Sequence, residues 1–556
     1  MNDLAPEQLH DAFPMSSYRP GQKNAIRKIL EAFASGNRFV LLEAPTGSGK
    51  SAIAFTIAQI LSPVFCIVPQ KFLQDQYMQD FGENGRHVGN RYPMIDIKGR
   101  GNYPCNFYER VIDTDGFDKL ETSTQKRYRS LVSQDVRCDR GECKREGVSK
   151  LGFCVGEDGT HCPYFVRLYQ AAASKICLMN FHSFLFQTSI THFFGKRTLL
   201  IIDECHNTED VLMKFVELKI SDKHFLKQGI KFPEFDNVAA YLEYFQEIDL
   251  ASKVASLLYA ARITGNTKEE DEWESVLLKL SIINNINHDT WISEWTETDS
   301  GTTRTVTLKP LFVDEFAQRY IFSMADYVLM MSATVLSKTT MCEALGLDKD
   351  TTKMFRMPSC FPPEIRPIYY RPAGSMSYNN KATTIPKLIK AVDTICTEHS
   401  ADRGIIHTHN FEIANELLEK CTGSVRSRFL FQNQAEFGGN KRALLDKHTE
   451  ANNSIIIAPA MHEGLDLKDD LGRFQIICKV PYPSMADPQI AARMKISQDY
   501  YNWRTATKLV QSYGRIYRHA ADHGKTYVLD KDFKNFVSDV EHMLPSWFTE
   551  VIRWAE

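Results

Sequence analysis

The 556-residue chain has no apolar run near the ~20 residues that a helix needs to cross a bilayer. "FVLLEA", "FCIVP", "LLIID" and "SIIIAPA" are far shorter, so no membrane partner is expected. Net charge is also scarce: 66 basic residues against 69 acidic ones leave -3. That balance excludes coating nucleic acid by bulk positive charge and leaves only a local basic groove for such a partner. The opening "MNDLAPEQLHDAF" lacks the basic stretch and apolar core of a secretory signal, so the expected location is cytoplasmic, or nucleoid-associated, or the host cytoplasm for a viral source. The thirteen cysteines contain no close C-x-x-C pair, which disfavours a two-pair zinc module. In a long cytosolic chain they read as buried thiols or metal ligands rather than as a disulfide framework. Short-period repeats, low-complexity tracts and a nuclease constellation are absent too.

What is present is ordinary in bulk: 43% hydrophobic and 24% charged residues, typical of a folded soluble protein. The length exceeds what one core supports and implies about two to four domains. Each short apolar run fits a strand buried on both faces, and most lead through a polar turn into a helical pattern. The fold class is therefore α/β, and its ligands should gather where the strands end.

The first such end is "EAPTGSGKS", between "FVLLE" and the helical "SAIAFTIAQIL". Ala44, Pro45, Thr46, Gly47, Ser48 and Gly49 form a loop whose backbone N–H groups can turn toward a phosphate. Lys50 can reach the outer phosphates, Ser51 can bind magnesium, and the helix N-terminus adds partial positive charge. A second end, "TLLIIDECH", gives the loop a partner. Asp203 would hold magnesium, directly or through water, and Glu204 would orient and deprotonate the attacking water. His206 suits nucleotide sensing through neighbouring motifs better than direct phosphate contact. Near the other end, "LVQSYGRIYRH" carries Gln511, Gly514, Arg515 and Arg518. The two arginines lie three apart on one side of a helix, suited to the charge that builds on a transferring phosphoryl group.

In this order the segments resemble the motifs of superfamily 2 helicases. "YRPGQ" places Gln22 where that family contacts adenine, and "VPQKFLQDQ" resembles its DNA-contacting segment. "DECHN", "MMSATV" with Ser332 and Thr334, "APAMHEGLDL" with Glu463, Gly464 and Asp466, and the arginine segment follow. "KGRGNYPC" and "CPYF" resemble the cluster borders of the XPD/DinG-like iron-sulfur helicases. The resemblance implies ATP, Mg2+ and a 4Fe-4S cluster as cofactors, and single-stranded and forked DNA as partners of a monomer. Cys105 and Cys162 match the family's border motifs. Cys143 and Cys154 are the preferred middle pair and Cys138 the alternative, while a zinc site and unligated thiols stay open as other readings.

The implied architecture is two RecA-like parallel-sheet motor domains, with an iron-sulfur insertion and a mainly helical Arch-like insertion in the first. The first motor domain takes residues 1–95, 176–210 and 311–336; the cluster insertion 96–175; the Arch-like insertion 211–310; and the second motor domain 337–556. Within the Arch-like interval, "EEDEWESVLLKL" reads as a helix and "WTETDSGTTRTVTL" as a hairpin turning at Asp299 to Gly301. A basic stretch holds Lys126, Arg127, Arg129, Arg137, Arg140, Lys144, Arg145 and Lys150, with Tyr103, Phe107 and Tyr108 at its start. It suits phosphate tracking with bases stacked on the aromatics. His407 and His409 read as structural or strand-contacting rather than metal-binding. Two other functions stay open beside the 5' to 3' helicase with an iron-sulfur wedge: a translocase that remodels protein–nucleic acid complexes, and a nucleotide-dependent binding protein.

Overall fold

The computed structural model describes residues 11–113, 116–133, 136–141, 162–226, 230, 232–264, 266–283, 290–297, 303–433, 437, 440–459, 467–517 and 522–554. In chain order the strands are β1 (Phe39–Glu43), β2 (Val64–Val68), β3 (Met94–Ile97), β4 (Ile176–Asn180) and β5 (Arg197–Asp203). Next come β6 (Leu218–Ser221), β7 (Trp291–Glu297), β8 (Arg304–Pro310), β9 (Ala325–Ser332) and β10 (Thr352–Arg356). β1, β2 and β4 are buried at every position, as their unbroken apolar sequences require of strands covered on both faces. They join an all-parallel sheet ordered β10-β1-β9-β5-β2-β4-β3.

The first domain extends beyond residue 336, the limit expected from sequence. β10 pairs with β1 from Phe39↔Thr352 to Glu43↔Arg356 and forms the sheet's edge. Its sequence "TKMFR" lacks the apolar run of a central strand because only one of its sides is paired. The second sheet begins at β11 (Ile368–Gly374) and continues through β12 (Gly404–His407), β13 (Phe429–Phe431), β14 (Ile455–Ala458), β15 (Phe474–Ile477), β16 (Lys525–Asp530) and β17 (Ile552–Arg553). It too is parallel, ordered β13-β14-β12-β15-β16-β11-β17.

Two insertions interrupt the first domain. One carries the helices Phe107–Ile112 and Thr122–Ser133 and returns through the helix Pro163–Ala173. The other combines the helices Val238–Glu247, Leu250–Thr264 and Thr267–Ile283 with an antiparallel sheet ordered β6-β8-β7. β7 and β8 pair from Trp291↔Pro310 to Glu297↔Arg304, the expected hairpin, whose turn lies outside the described residues. No helix among the described residues is long and apolar enough to cross a membrane.

Candidate nucleotide site

The loop after β1 is shaped by two glycines in the left-handed region, Gly47 at φ 80° and Gly49 at φ 79°. A Cβ on Gly49 would collide with Gln22 Nε2, so the glycine is required. That Gln22 amide donates to Ser48 O at 3.0 Å and Gly49 O at 3.2 Å, fixing the loop from a buried position. Ser48 Oγ closes the turn on Pro45 O at 2.7 Å, and Arg19 donates to Gly47 O. Ala44 N donates to Ser332 O at 2.9 Å, tying the loop to the end of β9. Lys50 opens the helix Lys50–Ile60, with Nζ 3.4 Å from Ala44 O and 3.7 Å from Glu204 Oε1.

Asp203 ends β5, two strands from the loop, and burial with the nearby Glu204 charge raises its carboxyl to about 6. Lys50 and two hydrogen bonds oppose that shift. Tyr77 OH donates to Asp203 Oδ2 at 2.8 Å, and Glu204 N donates to Oδ1 at 2.9 Å. Glu204 adopts φ 50°, an uncommon conformation for a non-glycine residue, and its side chain faces Lys50. His206 is buried, with Nδ1 2.8 Å from Ser332 Oγ and 3.5 Å from Gln511 Nε2. Gln511 Nε2 donates to Thr334 Oγ1 at 2.7 Å, and Gln511 Oε1 accepts from Arg515 Nη2 at 2.9 Å. A polar chain therefore runs from "DECH" through "MMSATV" into the second domain.

These groups line one cleft of about 710 Å³ between the domains. Arg19, Gln22, Thr46, Lys50, Ser51, Asp203 and Glu204 stand on one side, and Gln511 and Arg515 on the other. Gly514 carries the second domain to the loop, where a Cβ on it would lie 3.6 Å from Thr46 Oγ1. Glu463, Gly464, Asp466 and Arg518 lie outside the described residues.

The helicase C-terminal domain family matches residues 394–551, and the family described as type III restriction enzyme, res subunit, matches residues 15–232. The ATP-dependent DNA helicase YoaA of Escherichia coli (strain K12) is 21% identical over 615 residues, covering 95% of this chain and 94% of that protein. Over nearly its whole length the chain is similar to the XPD/DinG-like superfamily 2 helicases. The human regulator of telomere elongation helicase 1 is 29% identical over 107 residues, a stretch spanning only 9% of that protein. The fold of this XPD/DinG-like chain matches the solved structure titled "XPD_Helicase" with a TM-score of 0.62 at 15% identity, covering 97% of this chain and 100% of that one. For the Xpd4 structure from S. tokodaii the TM-score is 0.55 at 12% identity, with 97% and 100% covered.

In the first insertion, Cys105 N donates to Val136 O and Cys138 N to Tyr103 O, each at 2.9 Å. This antiparallel bridge brings Cys138, the alternative in the sequence reading, beside the border cysteines. Its Sγ is 3.6 Å from Cys162 Sγ, and hydrogen bonding with Cys105 and Cys162 pushes its thiol well above the ordinary range. The described residues alone do not complete a metal site, and Cys143 and Cys154 lie outside them. The donor chemistry of three converging thiols fits an iron-sulfur cluster.

The aromatics of the basic stretch depart from expectation. Tyr108 is buried against Phe107 and Tyr128, with ring centroids 5.3 and 5.2 Å away, and cannot offer a face to a base. Tyr103 packs on Tyr164 at 5.6 Å, and its hydroxyl accepts from Lys98 N. Arg140 is bound to Asp271 at 2.8 Å in the other insertion. Short aromatic-rich segments in an insertion need their rings for their own small core, which sequence alone does not distinguish from base stacking. Lys144, Arg145 and Lys150 lie outside the described residues. His407 is buried at the end of β12 with its ring stacked 5.8 Å from that of His409.

Sequence reasoning also missed Tyr77, which reaches Asp203 from the helix Lys71–Phe81, and Glu43, whose buried carboxylate pairs with Arg356 Nε at 3.0 Å. Neither carries a local signal, because each partner is supplied by a distant strand or helix.

Proposed function

We propose that this chain is an ATP-dependent DNA helicase that moves along single-stranded DNA and unwinds forked duplexes. The observation that carries this reading is the shared cleft, with Lys50 of one motor domain facing Arg515 of the other. Lys50, Gln22 and the loop amides bind ATP; Glu204 orients and deprotonates the attacking water; Gln511 and Arg515 stabilise charge on the transferring phosphoryl. Asp203 and Ser51 would hold Mg2+, which neutralises phosphate charge when bound. Arg515 can serve the phosphate only while the domains are closed, so hydrolysis takes place in the closed state and product release lets the cleft open. Unequal DNA grip in the two states turns this alternation into stepping.

Cys105, Cys138 and Cys162, with one further thiol from Cys143 or Cys154, would hold a 4Fe-4S cluster, which stiffens the insertion by cross-linking distant segments. The stiffened insertion acts as the wedge against about 1.4 kcal/mol of stacking per base-pair step. Direction 5' to 3' follows from the family resemblance. The test uses forked duplexes with opposite overhangs and protein purified without air. The expected result is ATP-driven unwinding from the 5' overhang alone, lost in Lys50→Ala together with DNA-stimulated hydrolysis. Hydrolysis without strand separation would replace the helicase with a translocase, and undiminished turnover in Lys50→Ala would refute the site.

A further inference from the structure

Beyond the cleft, a second set of charges crosses the domain boundary. Glu209 and Asp210 lie in the first turn of the helix Thr208–Val216, which follows "DECH" directly. Glu209 is only 3% exposed. Its Oε1 pairs with Arg493 Nη1, and its Oε2 accepts from Tyr500 OH at 3.1 Å and lies 3.5 Å from Arg504 Nη1. Arg504 Nη2 reaches Asp210 Oδ1 at 2.7 Å. Arg493 also stacks over the Tyr500 ring, 3.5 Å from its centroid. All three partners of Glu209 come from the second domain, on the helices Pro488–Ile496 and Gln498–Tyr513.

The helix Gln498–Tyr513 makes this arrangement consequential. Ser497 caps it by accepting from Tyr500 N, and it is one uninterrupted rod to the cleft. Trp503 Nε1 donates to Val335 O at 2.9 Å, at the end of "MMSATV", and Gln511 lies two turns further along. At about 1.5 Å of rise per residue, Arg504 is only about 10 Å along the axis from Gln511. A buried carboxylate holding two guanidiniums tolerates little displacement, because losing one partner leaves an uncompensated buried charge. The orientation set at Glu209 is therefore transmitted along the rod to Gln511, to which Arg515, in the turn beyond the helix, is hydrogen-bonded through Nε and Nη2.

We infer that Glu209 is a positioning residue for hydrolysis: it fixes the arginine helix across the domain boundary so that Gln511 and Arg515 meet the phosphate. The inference rests on the ATPase reading proposed above. Glu209 does not line the cleft, so its loss acts on turnover and leaves nucleotide binding to Lys50 and Gln22.

The test measures steady-state ATP hydrolysis with saturating single-stranded DNA, together with energy transfer between dyes on the two motor domains of the full chain. In Glu209→Gln, kcat should fall about tenfold or more, with KM for ATP within about threefold, as expected when only the transition-state contact suffers. The dye distance should broaden without nucleotide. Arg504→Lys keeps the charge, loses the fork and should lie between wild type and Glu209→Gln; it serves where the first variant fails to fold. Wild-type kcat and dye distance in folded Glu209→Gln overturn the inference, and so does an equal loss of nucleotide affinity and turnover. A wild-type chain without ATPase activity removes the underlying reading instead, and the nucleotide-free dye distance still decides whether Glu209 holds the helix.

Discussion

Burial sets the protonation state of His448. Its ring is fully enclosed, with Nδ1 2.8 Å from Ser454 Oγ and Nε2 2.8 Å from Leu471 O. Burial lowers its pKa to about 4, because the charged form would lose water. The unfolded chain takes up this proton near pH ~6.5, so it binds more protons than the folded chain in between. The stability contributed by neutral His448 is complete above that value and is lost as pH falls toward the folded pKa. In His448→Gln the stability difference between about pH 7.5 and about pH 5 should shrink by ~2 kcal/mol in denaturant unfolding. An unchanged acid limb would show that the ring is not buried neutral. At the same scale, the meeting of Lys50, Asp203 and Glu204 in one cleft was legible because each sits at a fixed position after a strand. Glu209 and Tyr77 were not, since an acid in a helix's first turn or a tyrosine in a helix core serves most folds without any function.

Elements decide which residues of an insertion meet. The border cysteines were readable from flanking motifs, but Cys138 joins them through the Pro104↔Arg137 bridge, a pairing made between segments separated by two helices. Spacing along the chain carries no trace of it. Cys138→Ser should lower bound iron and visible absorbance in protein purified without air, and reduce unwinding more than DNA-stimulated hydrolysis. Iron content equal to wild type would move the ligand role to the two cysteines that the sequence favoured. The same logic governs β10: a short mixed edge strand becomes recognisable only when β1 is there to pair with it. The hairpin of β7 and β8 was legible because its register is set locally, by alternation on either side of a turn.

At the scale of the whole molecule, the cleft exists because the ends of β1 and β5 in the first domain meet the end of the helix Gln498–Tyr513 in the second. Arg515→Ala should lower kcat by about a hundredfold or more, the scale of an arginine that stabilises phosphoryl charge, with little change in KM for ATP. A nonhydrolysable nucleotide with Mg2+ should still raise the thermal midpoint of that variant, and should fail to do so in Lys50→Ala, because only the latter loses ground-state binding. Equal loss of nucleotide stabilisation in both would mean that the arginine acts in binding rather than in turnover. The sequence by itself determined the two α/β units, the glycine loop after β1 and the acidic pair after β5, because apolar runs and their turns are local and chemistry is bound to the turn; it placed Arg515 on a helix, whereas the helix stops at Tyr513 and Arg515 stands in the turn after Gly514. Only the tertiary structure decided which side chains steady that machinery, Tyr77 on Asp203, Glu209 on two arginines and Cys138 beside Cys162. These contacts join segments far apart in the chain, and packing brings them together with no need for a motif in either.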